Sequence, residues 1–133
     1  MIGTEAAEPL ESRLATIAEA IDSLLDSHRP EAVAVEQIYF GRNVKTAFAV
    51  GQARGVVLAA AGRRGIGCHA YTPQKIKLAV CGSGAADKQQ VQRMVGALLT
   101  LGGAPESDHV ADALAVAICH THVAAAKAIH TAA

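Results

Sequence analysis

Glu36 stands directly behind the apolar run Ala32-Val33-Ala34-Val35. A carboxylate in that position either sits at a solvated sheet edge or is matched by a cation, because burying a bare charge is costly. A second acidic feature lies far along the chain, in Ser107-Asp108-His109-Val110-Ala111-Asp112-Ala113-Leu114-Ala115. On a helix, residues three and four apart share a face, which groups His109 with Asp112 and Asp108 with Asp112. Capping and the helix dipole account for Asp108. They account less well for Asp112, a turn further in and flanked by Ala111 and Ala113. Glu36, His109 and Asp112 together would make a mixed oxygen and nitrogen donor set, and hard oxygen ligands favour Mg²⁺ or Mn²⁺ over zinc. An ordinary edge residue and ordinary helix-start acids are the competing account.

Gln37-Ile38-Tyr39-Phe40-Gly41-Arg42-Asn43-Val44-Lys45 follows Glu36 at once. Tyr39 and Phe40 are two of only four aromatics in the chain, and Arg42, Asn43 and Lys45 come directly after them. That grouping suits a loop that stacks on bases and contacts phosphates; packing of both rings against the core explains it equally well. Cys119-His120-Thr121-His122 resembles a soft-metal motif, but its histidines are two apart on a helix and point to different sides. A structural role is the preferred reading there.

Charge is divided along the chain. Met1 to Glu36 holds eight acids against two bases, a balance of −6. Gln37 to Pro105 holds nine bases against Asp87 alone, a balance of +8, and Glu106 to Ala133 has a balance of −2. The neutral total therefore conceals a middle segment able to present a positive field to nucleic acid, or simply a set of solvated bases.

The elements that must position these residues follow from periodicity. Glu8 to Ser27 predicts an amphipathic helix on the stripe Leu10, Leu14, Ile17, Ile21, Leu24 and Leu25, stopped at His28-Arg29-Pro30. Ala32 to Val35 predicts a strand covered on both faces, with Glu36 at its carboxyl end, the edge where open α/β sheets place their sites. A helix is expected from about Asn43 to Arg64, in which Gly51 and Gly55 would let another helix or a DNA backbone come close. Ile66 to Tyr71 follows as a strand, then a helical turn from Thr72-Pro73 through Val80 and a loop over Cys81 to Ala85. The next helix is expected from Ala86 or Asp87 through Leu101. Ser107 caps a last helix from Asp108 to at least His122, with Val110, Ala113, Leu114, Ala117 and Ile118 facing the sheet. The order is α/β in one domain over residues 1–133, although two strands are few for a stable sheet.

At 133 residues, 51% apolar and 18% charged, the chain is long and apolar enough for a core and is not of disordered composition. No uninterrupted apolar run approaches the ~18 residues of a membrane span, and Met1 to Glu5 lacks the basic and apolar regions of a signal peptide. Cys68, Cys81 and Cys119 are odd in number and form no CxxC, a pattern that suits reduced thiols in a cytoplasm.

At five blocks the chain resembles the RuvC family of Holliday-junction resolvases. These are Ala34-Val35-Glu36-Gln37 with its aromatic loop, Gly51-Gln52-Ala53-Arg54-Gly55, Tyr71-Thr72-Pro73-Gln74-Lys75-Ile76-Lys77, Gly82-Ser83-Gly84-Ala85-Ala86-Asp87-Lys88, and His109 to Ile118. They occur in the family's order from about Leu10 to Val123. The resemblance implies a ribonuclease H-like mixed sheet flanked by helices. It implies a homodimer that nicks opposed strands of four-way junction DNA, working beside a branch-migration helicase in the cytoplasm. It assigns metal ligation to Glu36, His109 and Asp112, with two Mg²⁺ ions for which Mn²⁺ can substitute, and hydrolysis of a phosphodiester by water. His109 could equally be a general base. Tyr39 or Phe40 would stack on unpaired bases, Lys77 and Lys88 match family lysines at the DNA backbone, and Arg42, Asn43, Lys45 and Lys75 lie in the same DNA-contacting blocks. The family opens with strands, the first ending in a catalytic Asp-Pro-Gly, and this chain has no counterpart to them. Met1 to Thr4 aligns with the end of the third of those strands. The expectation is a site short of one carboxylate, with a catalytically inactive, structure-selective DNA-binding protein as the alternative.

Overall fold

The computed structural model describes residues 1–37 and 44–132. Its elements are α1 (Leu10–His28), β1 (Ala32–Glu36), α2 (Val44–Arg63), β2 (Gly67–Tyr71), α3 (Pro73–Cys81), α4 (Lys88–Leu98) and α5 (Asp108–Ala132). β1 and β2 form a two-stranded parallel sheet. At the carboxyl ends of both strands the Gln37 N–H donates to the Tyr71 carbonyl at 2.7 Å. The chain divides into two compact units, Met1–Val33 with Ile38–Cys68, and Ala34–Gln37 with His69–Ala133.

In the first unit α1 packs on α2 through Leu25, Ala60 and Ala61, with Ile21, Val33, Ile66 and Cys68 around them. The alanines let the two helices approach closely, so a single leucine fills the seam. α1 begins two residues later than its apolar pattern predicts, because Pro9 occupies the N-cap. It ends on Arg29, which takes the left-handed conformation at φ 44° and returns its N–H to Leu25. Arg64 bonds Asp22 at 2.6 Å and Asp26 at 2.8 Å, and Arg63 bonds Asp22 at 3.0 Å. The Arg64 guanidinium holds the Asp26 carboxyl below its usual range. These two arginines of the basic segment are therefore neutralised by the acids of the first helix. Gly51 and Gly55 of α2 face open space.

The second unit is built on α3, α4 and α5 around Ile76, Val80, Val91, Val95, Ala115 and Cys119. Pro73 at the first turn and the Thr72 hydroxyl, which accepts from the Lys75 N–H at 3.2 Å, start α3. Gly82 closes it in the left-handed region at φ 75°. α4 opens on a capping box: Asp87 accepts from the Gln90 N–H, and Gln90 accepts from the Asp87 N–H. Asp87→Ala is expected to lower stability by about 1 kcal/mol in urea unfolding, with an unchanged denaturant slope.

Two expectations for this unit are corrected. α4 ends at Leu98 rather than Leu101, because the chain folds back. Leu101 donates to the Gly96 carbonyl, Thr100 takes φ 55°, and Gly102 takes φ 75°. The buried face of α5 is Ala111, Ala115, Val116, Ile118 and Cys119, whereas Val110, Ala113 and Ala117 face solvent. The stripe is turned by about one residue because small side chains, alanines and a cysteine, fit where α3 comes close. α5 also continues to Ala132, well past His122. By length and composition its residues 108–131 could cross a membrane, but this face forms the core of the unit. Among the described residues Cys68, Cys81 and Cys119 are all free.

Candidate functional site

Glu36, Lys77, Lys88 and Asp112 line one cleft of about 240 Å³, floored by Pro73, Ile76, Val91, Ala115 and Val116. Four elements supply them, each held for its own local reason. β1 delivers Glu36 at its carboxyl end, where the bond from Gln37 to Tyr71 fastens the strand. α3 buries Ile76 and Val80 and so turns the intervening Lys77 to the cleft. The Asp87 box sets Lys88 as the first residue of α4. α5 buries Ala111 and Ala115, which leaves Asp112 on the cleft wall.

The cleft gathers two acids and two bases in a small space. Partial burial first, and then the Asp112 charge, push the Glu36 carboxyl above its ordinary value, while Lys77 pulls the other way. Lys88 is paired with Asp108 at 2.7 Å. That contact, with the Asp112 charge adding to it, holds the ammonium above its usual range.

Among the sequence-predicted site residues, the fold brings Glu36, Asp112, Lys77 and Lys88 together. His109 lies on α5 three residues before Asp112 but outside the residues that line the cleft. No three His, Cys, Asp or Glu side chains among the described residues are gathered as an ion-sized cluster. Lys75 is exposed on α3, its ammonium 5.5 Å from the centre of the Tyr71 ring, and Lys45 is exposed in the first turn of α2. Tyr39, Phe40, Arg42 and Asn43 lie outside the described residues. The Cys119 to His122 segment packs within its own unit. Cys119 is buried, the Tyr71 hydroxyl and His120 Nδ1 are 2.7 Å apart, and the His122 ring approaches the Ala79 carbonyl at 3.2 Å. Sequence reading missed His69, whose ring lies 4.6 Å from that of His120, and the engagement of Asp108 with Lys88 and Gln92. Only long-range packing reveals these contacts.

Do these residues fit a divalent cation? Glu36 and Asp112 line one cleft, and carboxylate oxygens are the hard donors that Mg²⁺ and Mn²⁺ prefer, so the pair fits a divalent cation.

Two solved structures share this fold. Thermus thermophilus RuvC matches with a TM-score of 0.89 and 40% identity, over 95% of this chain and 76% of that one. A T. thermophilus RuvC in complex with a Holliday junction substrate matches with a TM-score of 0.89 and 41% identity, over 92% of this chain and 74% of that one. The fold is accordingly the ribonuclease H-like α/β class. A family model described as crossover junction endodeoxyribonuclease RuvC matches residues 1–120. The proteins of that description from Heliobacterium modesticaldum and Moorella thermoacetica are 55% and 54% identical to this chain, over 84% and 92% of its length and 68% and 74% of theirs. The chain belongs to the RuvC family.

Proposed function

We propose that residues 1–133 form one nuclease domain, a Holliday-junction resolvase that hydrolyses phosphodiesters of four-way junction DNA with divalent metal. The observation that carries this reading is that Glu36, Asp112, Lys77 and Lys88 line one cleft, in a chain of the RuvC family. Glu36 and Asp112 would hold the metal, with His109, three residues before Asp112 on its helix, joining them or serving as base. Mg²⁺, with Mn²⁺ as substitute and two ions per site, suits oxygen donors of this kind. When bound, such ions polarise the scissile phosphate and activate water. The protein's own contribution is separate. Lys77 and Lys88 attract the strand and neutralise its phosphates, while Ile76, Val91 and Val116 give the cleft an apolar floor that limits water.

Tyr39 and Phe40 would stack on unpaired bases, with Arg42, Asn43, Lys45 and Lys75 on flanking phosphates. A homodimer would present two such clefts to opposed strands, beside a branch-migration helicase in the cytoplasm. The test is nicking of a four-way junction by this chain in Mg²⁺ or Mn²⁺, against a linear duplex of the same sequence. Preferential junction nicking supports the proposal. Tight junction binding without nicking in either metal would instead identify the structure-selective binding protein.

Reversing both lysines, Lys77→Glu with Lys88→Glu, should weaken junction binding on the order of tenfold or more. It should also flatten the salt dependence by about two in log–log slope, because each phosphate contact releases about one counterion. Filter binding across a salt series checks this, and an unchanged slope would remove both lysines from the DNA path.

A further inference from the structure

We propose that Asp108 is a positioning residue that fixes the Lys88 ammonium at the rim of the Glu36–Asp112 cleft, where the phosphate of a bound strand must pass. The inference rests on reading that cleft as the cutting site. Its observations are geometric. Lys88 Nζ lies 2.7 Å from Asp108 Oδ2, and the Gln92 amide donates to the other oxygen at 2.5 Å. Lys88 and Gln92 are four apart on α4, so one face of that helix grips one carboxylate of α5 with both of its oxygens engaged. Asp108 is absent from the cleft lining whereas Lys88 belongs to it, so Asp108 reaches the cleft by contact only through the lysine.

The location of Lys88 explains why such a partner is needed. It is the first residue of α4, and a helix N-terminus carries the positive end of the dipole, which repels an ammonium. A lysine also has a long stem with many rotamers and a point charge at its tip. Alone, it would be pushed away from its helix and would sample many positions. The Asp108 carboxylate supplies the opposite charge, and Gln92 keeps that carboxylate from swinging. The side chains of Lys88 and Asp108 are 57% and 56% exposed, so the pair adds little to fold stability. What it supplies is position, which matters when a charge must meet a developing phosphate charge.

The expected signature separates turnover from binding. Asp108→Asn removes an anion near the DNA path, so junction Kd stays equal or becomes tighter. The single-turnover cleavage rate falls roughly tenfold, because the cation is no longer held in place. In a Lys88→Gln background the same substitution produces no further fall in that rate. A fall in both affinity and rate, or an equal fall in the Lys88→Gln background, would overturn the proposal.

A second measurement needs no cleavage. In the full chain labelled with ¹⁵N-lysine, the Lys88 ammonium should give a resolved ¹H–¹⁵N signal of slowed exchange in the wild type and in Asp108→Glu. It should be lost in Asp108→Asn, and an unchanged signal in Asp108→Asn would contradict the positioning role. If the chain cuts no junction in any divalent metal, the resolvase reading fails, whereas the ammonium signal still decides whether Asp108 holds Lys88.

Discussion

Glu36→Gln is expected to reduce junction cleavage by roughly 10³-fold or more while making the metal-free protein more stable at neutral pH. The loss follows from removing a carboxylate that holds the metal, since a bound divalent ion contributes several kcal/mol to transition-state charge stabilisation and each 1.36 kcal/mol is tenfold in rate. The gain follows from the same geometry. Partial burial and the neighbouring Asp112 push the Glu36 carboxyl above its ordinary value of 4.5. The folded chain therefore binds that proton more tightly than the unfolded chain. A raised carboxyl carries no penalty well below the unfolded value, and acquires its full penalty as pH rises through the folded one. Glu36→Gln removes the penalty. Its melting temperature should exceed that of the wild type at pH 7, and the difference should vanish on acidification below about pH 4. Saturating Mg²⁺ or Mn²⁺ should also erase it, because a cation offsets both the burial and the repulsion. Asp112→Asn should lose cleavage to a similar degree. A melting series against pH and metal, run beside a gel-based cleavage assay, checks both halves. Variants that cut normally would show the assigned site to be wrong.

Gly96→Ala sets two physical effects against each other, and the expected outcome is a destabilised protein. Helix propensity alone predicts a gain of about 1 kcal/mol, since glycine inside a helix is unfavourable relative to alanine. Gly96, however, is buried within α4 under the chain that folds back after Leu98. A methyl group there would collide with the Gly103 carbonyl oxygen and lie 2.8 Å from its carbon and 3.1 Å from the Ala104 nitrogen. Those are backbone atoms that cannot rotate aside, so the whole turn from Leu99 to Gly103 must move. Overpacking of this kind typically costs ~1–3 kcal/mol, and the immobility of the backbone places it at the upper end. The net loss should be roughly 2 kcal/mol, read as a fall in melting temperature of about 5–10 °C. A melting temperature equal to or above that of the wild type would mean that the turn does not pack on Gly96.

The parts of this molecule that were readable from sequence are those set by local chemistry. The unbroken run Ala32 to Val35 announces a strand with Glu36 at its end, Thr72-Pro73 announces the start of α3, and Ala86 or Asp87 places that of α4 within two residues of Lys88. Phase and termination were harder to read. In α5, alanines at 111, 113, 115 and 117 offer similar hydrophobicity on several faces. The apolar pattern therefore did not determine which face is buried, and close approach to α3 decided it. In α4 the residues Leu98, Leu99 and Leu101 looked helical, yet the return of the chain onto Gly96 ended the helix sooner. Half of the cleft was legible for the same reason. Glu36 and Asp112 each stood out as carboxylates in apolar surroundings, whereas their sharing of one cleft with Lys77 and Lys88 depends on four separate elements. The contacts of Asp108 with Lys88 and of His120 with Tyr71 and His69 span long stretches of chain and leave no local pattern.

The central claim is that Glu36 and Asp112 together hold a divalent cation, and substoichiometric Mn²⁺ titrated into the ¹⁵N-labelled chain tests it directly. Paramagnetic broadening is expected first at the amides of Glu36, Gln37, Ala111 and Asp112, and in Asp112→Asn it should be lost at the same Mn²⁺ concentration. Broadening that starts elsewhere, or that persists unchanged in Asp112→Asn, would contradict the claim.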